Sequence, residues 1–123
     1  MRRRYSEVAL SESEIEFADA YLDLANTEAH DWASGEFLNV NSAEEKLNLI
    51  MSVIQRAHLP EHEEALGLLG AGPMEDLMSD WLLNRLKDYL PFSQELRCCL
   101  SMVRMEFEPP ELHERLLRMR GVQ

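Results

Sequence analysis

From Met74 to Tyr89, apolar side chains recur three or four residues apart: Met74, Leu77, Met78, Trp81, Leu82, Leu86 and Tyr89. This is the period of a helix with one buried face, and it is the best periodic signal in the chain. It predicts a helix from Pro73 to about Leu90, stopped by Pro91. No β-hairpin signal competes with it. Val, Ile and Thr are few, while Leu, Ala, Met and Glu are abundant, a mix that favours helix over sheet.

Weaker segments of the same kind lie on both sides. Ser11 and Ser13 each have a Glu three residues on, Glu14 and Glu16, as in a capping box; Ile15, Ala18, Leu22 and Ala25 then follow at helical spacing. Ser42 with Glu45 opens a second helix with the stripe Leu47, Ile50, Met51 and Ile54, ended by Leu59-Pro60. A short third helix is expected from about Glu61 to Leu69. After the Pro73 helix, Ser93 caps a fifth with Leu96, Cys99, Leu100 and Val103, and Pro109-Pro110 precedes a sixth with Leu112, Leu116 and Leu117. Between the first two, "NTEAHDWASGEFLNVN" (Asn26–Asn41) has no sustained period. It is expected as a connection, packed down through Trp32, Phe37, Leu38 and Val40. The fold expected is all-α, an irregular bundle of five or six helices. At 123 residues the chain has the length of one domain, here residues 11–123 behind a basic tail, residues 1–10.

The stretch "LGLLGAGPMEDLMSDW" (Leu66–Trp81) sets Gly70 and Gly72 before a helix start, where a phosphate cradle would lie. Pro73 has no N–H to offer a phosphate. Glu75 and Asp76 would repel one, no Lys or Arg lies nearby, and the strand of a dinucleotide fingerprint is missing. Gly70, Gly72, Pro73, Glu75 and Asp76 are therefore expected to be structural. Gly70 closes one helix, Gly72 turns the chain, Pro73 starts the next, and the two carboxylates complement its dipole. Ala71, Gly72, Pro73, Met74, Glu75, Asp76 and Leu77, preceded by "AEEKLNLIMSVIQRA", resemble a bacterial domain family of unknown function. Its members share an Ala-Gly-Pro-Leu-Glu-Asp-Leu core after a helix; Met74 stands where Leu is usual. The similarity reaches "FADAYLDLA" and spans about residues 15–105, the seven-residue core being its only sharp part. It implies a small helical bacterial protein and brings no activity.

Charge is distributed unevenly. Residues 5–80 hold 17 acidic and 2 basic side chains, whereas residues 81–123 hold 6 and 7. Such a surface repels nucleic acid and anionic membrane and attracts a basic partner. Glu12, Glu16, Asp19 and Asp23 fall on one face of the first helix with no Lys or Arg between them. Two readings stand, a solvated outer face and a docking ridge. Glu44, Glu45, Glu61, Glu63 and Glu64 are candidates to extend the same partner-binding surface.

Chemistry-bearing residues are sparse. Glu61 and Glu64 have the spacing of one Mg²⁺-holding pair, but the matching second pair fails, since Glu75 meets Met78 and Asp76 meets Ser79. His58 and His62 are four apart with Pro60 between them, so with His30 and His113 they are expected as surface histidines. Cys98 and Cys99 are adjacent, which fits reduced thiols; Cys99 is expected in the core. Trp81 and Tyr89 are expected to pack inward, and Arg115, Arg118 and Arg120 to form a solvated helix end. No cofactor, metal or catalytic group is expected. The basic N-terminus has no apolar segment behind it, and no stretch approaches a membrane span, so a cytoplasmic protein is expected. The function expected is protein interaction: an immunity protein that covers the basic cleft of a toxin. The alternatives are an inhibitor that mimics nucleic acid to block a nuclease complex, as phage inhibitors of CRISPR systems do, and a Mg²⁺-dependent nucleotide hydrolase.

Overall fold

The computed structural model describes residues 9–106 and 108–121, so Arg2, Arg3 and Arg4 of the expected basic tail lie outside the described residues. The described chain is all-α, with no strand. Its helices are α1 (Glu12–Leu22), α2 (Thr27–Glu36), α3 (Ala43–Arg56), α4 (Glu63–Leu69), α5 (Asp80–Leu86), α6 (Gln94–Ser101) and α7 (Pro110–Arg120). There are thus seven among the described residues, and the expectation of five or six is corrected.

The additional helix is α2, in the segment expected as a connection. Only Ala33 of it is buried, so it has no apolar period to read. Local capping and neighbours make it instead. The Asn26 side chain accepts from the Ala29 N–H at 3.1 Å. His30 Nδ1 donates to the Tyr21 carbonyl at 2.6 Å, which leaves Nε2 to accept from the Ser34 hydroxyl at 3.2 Å. Phe37 then packs edge-on against Phe17 and Tyr21, with ring centroids 5.3 and 5.8 Å apart. His30 is therefore a tether between α1 and α2 and not a surface residue. Trp32 is 46% exposed and Leu38 87% exposed, so neither packs down as expected.

Elsewhere serine caps fix helix starts where expected. Ser11 and Glu14 form a full capping box, and Ser42 and Ser93 accept from Glu45 and Leu96 N–H at 3.1 Å each. Replacing one such cap by Ala costs about 1 kcal/mol. The expected stripes of α3 and α6 are all buried: Leu47, Ile50, Met51 and Ile54, and Leu96, Cys99, Leu100 and Val103. α3 ends at Arg56, with Ala57 already extended, ahead of Leu59-Pro60. Around α3 the buried side chains form one cluster, with α1 packed on α2 and α3, and α4 on α6.

The glycine-proline stretch differs from expectation. The chain does not turn there. From α4 it continues through a π-helical turn, Gly70–Met74, and remains helical to Asp76. A proline inside an α-helix strikes the carbonyl four residues back. The wider turn accommodates Pro73, and the Glu75 N–H reaches back to the Gly70 carbonyl. No described glycine has positive φ. Gly72 does not turn the chain, and a Cβ there would meet nothing within 4 Å. Gly70 is needed for another reason: a Cβ there would lie 1.9 Å from the Cys99 carbonyl oxygen, so the start of the π-turn and α6 approach backbone to backbone.

The long helix expected from Pro73 to Leu90 breaks at Leu77–Ser79. The Ser79 hydroxyl donates to the Leu77 carbonyl at 3.0 Å and accepts from the Leu82 N–H at 3.1 Å, starting α5. The apolar period continues across this break, which is why it reads as one helix. Trp81 is 37% exposed, with Arg85 over its ring at 5.9 Å, and Tyr89 is half-buried in a 3₁₀ turn, Lys87–Tyr89.

Glu75 and Asp76 consequently stand at the C-terminal end of a helical run, where the dipole opposes them, and not at the start of a helix. Basic partners compensate. Arg104 holds Glu75 with two side-chain hydrogen bonds, at 3.0 and 2.8 Å, and its backbone N–H adds a third at 2.7 Å. Lys46 of α3 lies 3.5 Å from Asp76. Arg115 is also no solvated end: it binds the Asp80 carboxylate at 2.8 Å and the Asn84 carbonyl oxygen, tying α7 to α5. Arg118 is exposed.

Candidate functional site

The first helix and the residue that caps its end present Asp19 and Asp23 to a cleft of about 770 Å³, whose opposite wall is the turn after α3 and the start of α4. Glu61 and Glu64 come from that wall, with Arg56, His58 and His62 beside them, over a floor of Leu22, Leu24 and Ala65. Four carboxylates named from the sequence therefore share one cleft. Asp19, Asp23, Glu61 and Glu64 are all exposed.

Arg56 supplies a cation that the pattern along α1 alone did not show. Its Nε and Nη2 each donate to Asp19 at 2.9 Å, a two-point fork from the end of α3. This pairing pushes the guanidinium's pKa up further. Asp19 is thus engaged within the molecule. Asp23 accepts from the Asn26 N–H at 3.2 Å and orders the link to α2. The His62 Nδ1 accepts from the His58 N–H at 2.8 Å, so its proton sits on Nε2, 3.3 Å from Glu61. The His62 lone pair that a shared metal would need is occupied by backbone. His62 is half-buried, whereas His58 and His113 are exposed as expected.

The other carboxylates disperse. Glu16 lines a separate shallow groove of about 230 Å³ with Trp32 and Glu36, and Glu12 is exposed near the start of α1. Glu44 pairs with Arg85 of α5, and Glu45 is exposed. Glu63 lies with Glu61 and Glu64 on a third groove, of about 660 Å³, between α4 and α6. Exposed Leu68 and Met102 flank that groove; sequence reasoning did not find it, because both fall off the buried stripes. Its one available signal was an apolar residue on the polar side of a short amphipathic helix.

Among the described residues, no three His, Cys, Asp or Glu side chains gather to hold a metal ion. Burial pushes the Cys99 thiol far up; Cys98 is raised by partial burial and by Glu63 and Glu95. Both thiols are thus held away from the thiolate form that acts as a nucleophile. Among the described residues no helix is long and apolar enough to cross a membrane. Compared with known protein families, curated proteins and solved structures, the chain matches none.

Proposed function

We propose that this chain is a non-enzymatic protein that binds a basic protein partner. More specifically, we propose an immunity protein that neutralises a toxin by laying carboxylates over its basic cleft. The observation that carries the reading is the set of exposed carboxylates around Glu61–Glu64. Asp23, Glu61, Glu63 and Glu64 gather there with Arg56 as the one Lys or Arg, among the described residues, lining either adjoining hollow, and Asp19 already occupies Arg56. Like charges held together on an exposed surface disfavour an isolated fold and favour an oppositely charged partner. Toxins that act on nucleic acids or nucleotides present basic clefts of that kind. The seven-residue likeness around Pro73 adds a bacterial, helical context and no activity.

Capture of the partner from the native cells, followed by its identification, tests the reading. A basic toxin domain whose activity falls on binding is the expected result. A partner without a basic surface would overturn it, and a nuclease complex would favour the nucleic-acid mimic instead.

A further inference from the structure

The groove between α4 and α6 differs from the acidic cleft beside it. Glu61 and Glu64 line both, but beyond them the groove becomes apolar. Leu68 on α4 is 47% exposed and Met102, after α6, is 49% exposed. Gly67, Ala71 and the partly exposed Cys98 lie between them. Gly67 is informative. A Cβ there would meet only the Met102 side chain, at 3.5 Å and beyond, an ordinary contact with a flexible neighbour. Internal packing therefore does not require glycine, which is a poorer helix former than alanine. Its physical effect is to keep the groove open at its middle.

We propose that this groove receives a basic amphipathic segment of the partner protein, its apolar side chains seated between Leu68 and Met102 and its Lys or Arg residues on Glu61, Glu63 and Glu64. The inference rests on the acidic docking reading and adds to it an apolar anchor and a place. Charge selects the occupant. Among the described residues no Lys or Arg lines the groove, and three carboxylates rim one end of it. A second copy of this chain, at a net charge of −11, would bring like charge to that rim. Apolar contacts at the centre of a patch hold a complex, while rim charges set its capture rate.

Cys98 is a reporter already in place, because its neighbour Cys99 is fully buried. The full chain is alkylated with N-ethylmaleimide alone, with a synthetic Lys/Leu amphipathic peptide, and with a peptide of equal charge in which every Leu is Ser. At a peptide concentration about tenfold above the one that half-saturates the Glu61–Glu64 amide shifts, the Lys/Leu peptide should slow Cys98 alkylation about tenfold, and the Lys/Ser peptide should not. Gly67→Leu, which fills the groove, should abolish that protection, and Leu68→Ser should weaken it. Amide shifts at Glu61–Glu64 separate the two ideas. If both peptides move those amides and neither protects Cys98, the groove proposal falls and acidic docking stands. If neither peptide moves them, both fall. Self-association that Leu68→Ser abolishes would also overturn the proposal, since a second copy would then be the occupant.

Discussion

Two groups of carboxylates stand on the same helical run, and their surroundings are opposite. Glu63 and Glu64 open it, where the helix dipole favours negative charge, and both are exposed. Glu75 and Asp76 close it, where the dipole opposes them, and each has a basic partner, Arg104 and Lys46. Carboxylates that the backbone already favours need no internal cation and remain free to attract one from outside. Carboxylates that the backbone opposes are tied into the fold. The distinction does not follow from composition, since all four are acidic residues in one acidic stretch.

One helical run docked on α6 carries both ends. The strongest way to break it is at Gly70. Gly70→Ala drives a methyl into the Cys99 carbonyl and should destabilise the fold by about 3 kcal/mol in chemical denaturation. Gly67→Ala, one turn earlier, should be neutral or stabilise by up to about 1 kcal/mol. Equal effects of the two would show that the helical run and α6 do not meet at Gly70.

A smaller effect is expected at the closing end. The Arg104 side chain and backbone N–H together hold the Glu75 carboxyl below its ordinary value of 4.5. A carboxyl depressed in the folded state contributes its stability in full above the unfolded value, and loses it as pH falls through the folded one. Glu75→Gln should therefore lower Tm at pH 7, and the difference should shrink in acid. A gap that persists unchanged at the acid end would mean that Gln loses packing and not charge. At the opening end, Glu63→Gln and Glu64→Gln should change stability by no more than about 0.5 kcal/mol, because both are exposed and neither forms an ion pair among the described residues.

Where a helix has both a cap and a buried stripe, the sequence shows it: α1 from Ser11, α3 from Ser42 and α6 from Ser93 start where the serines predict. It hides α2, which is held by Asn26, His30 and Phe37 and not by a stripe. It also misleads around Pro73, since apolar period reports which face is buried and not whether the helix is continuous. Met74, Met78 and Leu82 keep the period across a break and a π-turn. Of the candidate surface, the carboxylates were legible one by one. Their grouping was not, because Arg56 and Arg85 reach Asp19 and Glu44 only through tertiary packing.

The most direct measurement of the central claim is association kinetics of the identified partner at two salt concentrations. Wild type is compared with the Glu63→Lys/Glu64→Lys double variant and with Glu75→Gln, and thermal melts serve as the folding control. Reversal at the opening end should slow association by about tenfold at low salt and flatten its salt dependence, while Glu75→Gln leaves both unchanged. An unchanged association rate and salt slope in the double variant would contradict the account and leave Glu63 and Glu64 as a solvated helix start.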